Sequence, residues 1–187
     1  MRIIGGIWKG ISLKHPDPPL SRPTQERVKK SLFDILAGRF KESRVLDLFS
    51  GSGTLGLEAL SRGAQSVTFV EWNPFCMKLL KENLKKLGGI PGITCLEENA
   101  LKVLGKLSKQ KKSFDIIFVD PPYSKGVTTK CLHVVGKYDI LTPDAILVIR
   151  HSKKESLPDE VGPLALFRQE RYGETSISFY QMKRGMV

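Results

Sequence analysis

Between Arg44 and Arg150 the chain repeats one pattern, a short apolar run followed by a stretch with helical spacing. The apolar runs are RVLDLF (44–49), SVTFVE (66–71), ITCLE (93–97), FDIIFVD (114–120) and AILVIR (145–150). Between them lie TLGLEALSRG, PFCMKLLKENLKKLG, ALKVLGKLSKQKK and VTTKCLHVVGKY. Strands that alternate with helices are joined by right-handed crossovers, which sets them parallel with helices on both faces. The unbroken apolarity of residues 116–119 fits a strand covered on both sides. Two further runs, ALFRQERYG and TSISFYQMK, are separated only by a turn around Gly173, so an antiparallel hairpin should close the sheet. The expected fold is α/β: a doubly wound, mostly parallel, seven-stranded sheet with an antiparallel C-terminal hairpin.

About forty residues of another kind come first. RIIGGIWKGISL reads as a small N-terminal β-hairpin extension interrupted by Gly5 and Gly6, and KHPDPPLSRP as a proline-rich linker. TQERVKKSLFDILAG places Val28, Leu32, Ile35 and Leu36 at helical spacing, with Thr24 as candidate N-cap and Gly38 near the end. A chain of 187 residues is expected to form one domain over 1–187. Within it, 1–21 would be a basic hairpin and linker and 22–187 the α/β core.

Charge narrows the class of partner. Thirty Lys+Arg against nineteen Asp+Glu give a net charge of +11, which favours a polyanion such as nucleic acid. Cys76, Cys95 and Cys131 lie far apart, with no C-x-x-C pair, so neither a zinc ribbon nor a disulfide scaffold is expected. MRIIGGIWKG breaks its apolar residues with glycines and a lysine, unlike a secretory signal. No apolar run approaches the ~20 residues that span a bilayer. The expectation is a cytoplasmic protein without a metal, and a monomer.

The turn after the first apolar run reads SGSGTLG, a G-x-G-x-x-G carried by Gly51, Gly53 and Gly56 between a strand and a helix. Such a turn serves NAD, FAD or S-adenosylmethionine alike. Glu71 ends the next run, where an acid grips ribose hydroxyls. Asp47 lies before the glycines, where a pyrophosphate gains nothing from a carboxylate. A ligand carrying an α-ammonium and a sulfonium would gain a great deal. The fourth run ends in Asp120-Pro121-Pro122-Tyr123. The prolines stop strand pairing and leave an acid and an aromatic at the carboxyl end of a strand, where open α/β sheets place ligands.

DLFSGSGTLGLEAL followed by DPPY resembles the class I S-adenosylmethionine-dependent amino-methyltransferases, whose sheet is Rossmann-like. MRIIGGIWKG and RPTQERVKKSLFDIL narrow the resemblance to the bacterial small-subunit (16S) ribosomal RNA guanine-N2 methyltransferases. It covers nearly the whole chain. It implies methyl transfer from S-adenosylmethionine to N2 of a 16S guanine, of the guanine-966 type, on the assembling 30S subunit. By the same resemblance Asp47, Phe49, Gly51, Ser52 and Gly53 line the methionine end of the cofactor. Glu71 binds ribose, Asn73 flanks that site, and the Asn99-Ala100 pair stands where Asp-Ala is usual. The Asn99 carbonyl would accept from the adenine amino group; whether Glu98 or Asn99 faces the adenine is left open by the sequence.

The chemistry accounts for the DPPY residues. An exocyclic purine amine is a poor nucleophile because its lone pair is delocalised into the ring. The Asp120 carboxylate and a carbonyl fixed by Pro121 and Pro122 would accept its hydrogens and turn it toward the methyl group. Tyr123 would stack on the flipped base. For RNA contact, Arg2, Lys9, Lys14, Arg22 and Arg27 cluster in the leading segment with Trp8 and Thr24. A DNA adenine-N6 methyltransferase would share DPPY but usually needs a target-recognition domain. A protein-glutamine methyltransferase typically has Asn at position 120. A non-catalytic RNA-binding protein that kept the fold is the remaining alternative.

Overall fold

Side-chain parity along the strands decides what each face of the sheet carries. The computed structural model describes residues 1–16, 26–122 and 126–183, with backbone alone at Glu26. In chain order the elements are α1 (Glu26–Ile35), β1 (Arg44–Asp47), α2 (Thr54–Ser61), β2 (Ser66–Val70), α3 (Pro74–Lys86), β3 (Ile93–Leu96) and α4 (Ala100–Lys109). Then follow β4 (Phe114–Val119), α5 (Val127–Lys137), β5 (Leu141–Ser152), β6 (Glu160–Val161), β7 (Leu164–Tyr172) and β8 (Thr175–Met182). The strands form one sheet in the order β3-β2-β1-β4-β5-β8-β7-β6. The first five run parallel, and β8, β7 and β6 join antiparallel. The doubly wound, mostly parallel sheet and its C-terminal hairpin are therefore as the sequence indicates.

The strand number is not. The described sheet has eight strands rather than seven, because Glu160 and Val161 pair with β7 across a turn at Gly162. Two residues are too few to show an alternating pattern. β5 also begins earlier than expected, at Leu141. Its register against β4 shifts between Phe114 and Ile116, and Pro143, which has no N–H for a ladder, falls in that shifted stretch.

Val45, Val67, Phe69, Ile116, Phe118, Ile146 and Val148 face one core, shared with residues of α1, α2 and α3. Leu46, Val70, Ile117, Val119, Leu147 and Ile149 face the other, covered by α4 and α5. Successive residues of a strand point to opposite faces, so the residues that end β1, β2 and β4 inherit their face from this pattern.

The leading segment folds back on itself, but its pairing is the single bridge Arg2–Ser12 flanked by Ile3 N to Ile11 O at 3.0 Å and Leu13 N to Met1 O at 2.7 Å. That is less than the two-stranded hairpin expected. It is bound to the core instead of to itself. Ile7 N and Trp8 N donate to the backbone oxygen and Oγ of Ser61 at 2.8 and 3.0 Å. Gly6 is obligatory here: φ is +75°, and a Cβ would lie 1.7 Å from Ser61 O.

Beneath the segment lies a buried charge cluster. Glu58 of α2 accepts from Ile4 N at 2.8 Å, from Arg62 Nε at 2.9 Å and from Lys29 Nζ at 3.1 Å. Lys29 Nζ also donates to Arg2 O at 2.5 Å. The Lys29 and Glu58 side chains are both fully buried, so the lysine charge depends on Glu58, and the carboxylate on Lys29 together with Arg62. Lys29→Met should therefore lower stability by about 3 kcal/mol, the usual consequence of stranding a buried charge. Urea unfolding would measure it; a loss within experimental error would mean that Arg62 alone compensates Glu58.

Candidate active site

Three strands end in acids that belong to the same face. Asp47 closes β1 and pairs in register with Phe69 of β2 and Phe118 of β4. Glu71 and Asp120 each come two residues after those phenylalanines, so parity brings all three to the face covered by α1, α2 and α3.

Asp47 is 1% exposed. Its Oδ2 accepts from Gly56 N at 3.0 Å, while its Oδ1 is buried with no partner among the described residues. Burial pushes its carboxyl up to about 7; the Gly56 hydrogen bond opposes this, and the charges of Asp120 and Glu71 add to it. An orphaned acceptor in a crowd of acids is a place for a cation. Among the described residues, no three His, Cys, Asp or Glu side chains are arranged to hold a metal ion. An ammonium or sulfonium fits the donor set better.

Glu71 is committed on both sides. Its Oε2 accepts from Gly51 N and its Oε1 from Asn73 N, each at 2.8 Å, so it fixes the glycine turn relative to the end of β2. Asn73 caps α3, its side-chain oxygen accepting from Phe75 N at 2.9 Å and Cys76 N at 3.3 Å. The three glycines of the turn serve different ends. Gly51 has φ +53°, and a Cβ there would meet open space. At Gly53 and Gly56 a Cβ would lie 2.4 Å from Leu80 Cδ1 and 2.3 Å from Phe69 Cε1. Packing on β2 requires glycine at 56, and at 53 a φ of +86° favours it beside the contact with α3. Of the three Cβ positions, that of Gly51 alone points into open space.

Ser52 is buried, and its carbonyl accepts from Asn83 Nδ2 at 3.0 Å. The same amide bonds the backbone of Lys14 in both directions, Lys14 N to Oδ1 and Nδ2 to Lys14 O, each at 2.8 Å. Asn83 thus ties the leading segment to the glycine turn, and nothing in its helical context marks it out in the sequence. Phe49 packs against the core shared with α4 and α5.

The Asn99 side chain has partners within its own helix. Its oxygen caps α4, accepting from Leu101 N at 3.0 Å and Lys102 N at 3.3 Å. Those bonds fix the amide with its oxygen turned into the helix, leaving the –NH2 as the group available to a ligand. Glu98 takes Lys106 Nζ on Oε1 at 2.5 Å, and Ala100 is buried as the first residue of α4.

At the end of β4, Pro121 is buried and Pro122 exposed. Asp120 Oδ2 accepts from Arg150 Nη1 at 3.2 Å, with side-chain exposures of 18% and 8%. Arg150 was not among the site residues expected from sequence. The available signal was a charge inside the apolar run AILVIR. Tyr123, Arg22 and Thr24 lie outside the described residues.

The basic residues separate. Arg2, Lys9, Lys14 and Arg27 are exposed. Trp8 is half-buried against the core. It and Lys9 sit by Ser61, at the end of α2 remote from the glycine turn, a helix length of about 12 Å away. Lys14 lies nearer the turn through Asn83, and pairs with Glu82 at 2.8 Å.

The family described as "Conserved hypothetical protein 95" matches residues 1–181. The chain belongs to this family. It is 38% identical over 185 residues to "Putative rRNA methyltransferase YlbH" of Bacillus subtilis (strain 168), covering 99% of this chain and 100% of that one. It is 33% identical over 181 residues to "Ribosomal RNA small subunit methyltransferase D" of Escherichia coli (strain K12), covering 97% and 89%. Among solved structures, "Putative methyltransferase yhhF from Escherichia coli" superposes with a TM-score of 0.86 at 33% identity, over 99% of each chain. The family's sheet is the Rossmann-like one expected from the motifs.

The raised carboxyl of Asp47 has a measurable consequence. Between its ordinary value of 3.8 and about 7, the unfolded chain gives up this proton while the folded chain keeps it. Its contribution to stability therefore falls as pH rises through that window and stays flat above it. Asp47→Asn removes the titration, so the variant should lose less stability than the parent between pH 5 and 7.5. Urea midpoints at both pH values would check this, and identical pH dependence in the two proteins would show that Asp47 is ionised throughout.

Proposed function

We propose that this chain transfers a methyl group from S-adenosylmethionine to the exocyclic N2 of a guanine in 16S ribosomal RNA. The guanine is of the guanine-966 type, and the substrate is the assembling 30S subunit. The observation that carries this reading is the gathering of Asp47, Glu71 and Asp120 on one face at the carboxyl edge of the sheet, beside a glycine turn that opens at Gly51. Methylation of ribosomal RNA is also what the names of the relatives over 30% identical describe.

S-adenosylmethionine supplies an electrophilic methyl group on a positively charged sulfonium. Asp47 would hold the cationic methionine end through its orphaned Oδ1, with Phe49, Gly51, Ser52 and Gly53 around it. Glu71 would take the ribose hydroxyls on its remaining lone pairs, with Asn73 beside it. At the adenine, the Asn99 –NH2 would donate to a ring nitrogen, and Glu98 would accept from the amino group, next to Ala100.

Asp120 accepts a hydrogen of the guanine amine, and a carbonyl of the Pro121-Pro122 pair accepts the other. Held in this way the nitrogen points its lone pair at the methyl carbon, and most of the acceleration comes from that orientation. Tyr123 stacks on the flipped base. Arg2, Lys14, Arg22, Thr24 and Arg27 contact the RNA backbone along the leading segment, while Lys9 and Trp8 meet it further out. The chain works as one domain and as a monomer, in the cytoplasm.

Tritiated methyl transfer to small subunits lacking the modification, followed by nucleoside digestion, tests the reading. Label should appear in N2-methylguanosine; label in N6-methyladenosine, or none, would overturn it. In the same assay Asp120→Ala should lower the single-turnover rate by roughly 10²–10⁴-fold, and Asp120→Asn, which keeps an acceptor, by less. A near-normal rate in Asp120→Ala would reduce this acid to a strand terminus.

A further inference from the structure

A buried arginine at the end of an apolar strand requires an explanation that the reaction chemistry alone does not give. Arg150 stands in β5 one residue beyond Ile149, which pairs with Val119 of β4. That register sets Arg150 directly beside Asp120. Its backbone is fixed on the other side by pairing with Ile177 of β8. Parity with Ile146 and Val148 turns its side chain to the face that carries the acids. The side chain is 8% exposed, and its Nη1 lies 3.2 Å from Asp120 Oδ2.

A guanidinium against a carboxylate favours the ionised form and fixes the carboxylate plane. Both effects suit a hydrogen-bond acceptor and work against a base, whose efficiency is greatest when its proton affinity matches the working pH. We infer that Arg150 is a positioning residue whose guanidinium holds Asp120 as an oriented, ionised acceptor, so that Asp120 orients the target amine and does not remove its proton. This rests on the methyl-transfer reading above. As the nitrogen–methyl bond forms, the carbon–sulfur electron pair returns to sulfur and N2 carries one surplus proton. That proton passes to water.

The other charged groups around the pair act in known directions. Asp47 on β1 carries like charge toward Asp120, and Glu71 lies beyond Asp47. The Arg150 guanidinium supplies the opposite charge at Asp120. His151 points to the opposite face, where its Nε2 bonds Ser178 Oγ at 2.9 Å; burial lowers its proton affinity. Glu155, beyond β5, is engaged by Thr129 Oγ1 of α5 at 3.2 Å.

Two readouts test the inference, one without any substrate. In protein labelled with 13C at aspartate Cγ, the Asp120 resonance is assigned by its loss in Asp120→Asn. Arg150→Met should move its titration upward by about one pH unit or more, and Arg150→Lys should leave it near the parent value. An unmoved titration in Arg150→Met would overturn the inference whatever the substrate is. The second readout is single-turnover methylation across pH. Arg150→Met should shift the acidic limb upward by the same amount and lower the rate at pH 8 by roughly tenfold. In an Asp120→Asn background it should change the rate less than twofold. A faster Arg150→Met enzyme at pH 8 would mark Asp120 as the base, and an undiminished effect in the Asp120→Asn background would mean that Arg150 acts by another route. Either result overturns the inference. If Arg150→Met does not fold, Arg150→Gln takes its place in both measurements. Failure of methyl transfer in the parent enzyme would count against the proposed function and leave the resonance measurement standing.

Discussion

The site depends on a collision of like charges that the sheet cannot avoid. Parallel strands packed by apolar residues on both faces end together at one edge, and β1, β2 and β4 place Asp47, Glu71 and Asp120 there. Side-chain parity sends all three to one face. Water would screen such a group, but Asp47 is buried, and the cost appears as a carboxyl pushed up to about 7. Two devices relieve it within the chain. Glu71 distributes its charge over the N–H groups of Gly51 and Asn73, and Arg150 meets Asp120. Among the described residues Asp47 is relieved by the Gly56 N–H alone, and its other oxygen has no partner.

The leading segment is part of the same construction. Its own pairing is slight, yet Ile3 and Leu13 are buried in the core of the α1–α3 face. Glu58 collects a backbone N–H from this segment, a lysine from α1 and an arginine from its own helix. Asn83 does the equivalent between Lys14 and Ser52. The helix that opens at the glycine turn is thereby clamped at both ends to the basic segment. Segment and site should respond together to perturbation of either.

What was legible in the sequence follows from the range of the interactions. The four α/β units and the strand after them were readable because strand and helix periodicities are local, and helices α2 to α5 begin where their glycine, proline or asparagine signals stand. β6 was not, since two residues carry no period. The acids at strand ends were readable from the apolar runs they terminate. The long-range contacts were not: Arg150 reaches Asp120 across 30 residues of sequence, and Asn83 and Glu58 reach the leading segment across 69 and 54. Asn99, placed at the adenine by resemblance, is also held by its own helix, two and three residues away. The glycine turn was legible as a turn, but packing on Phe69 and a positive φ beside Leu80, not ligand approach, account for two of its three glycines.

In the proposed reaction a cationic cofactor completes the crowded acids of this edge at Asp47. Calorimetric titration with S-adenosylmethionine at pH 6.5, in buffers of different ionisation enthalpy, counts the protons exchanged on binding. An Asp47 carboxyl near 7 is mostly protonated at that pH, and a cation at Oδ1 drives the proton off. Binding should release between about half and one proton in the parent protein, and close to none in Asp47→Asn. The same proton count in both would show that the cofactor's charge does not reside at Asp47.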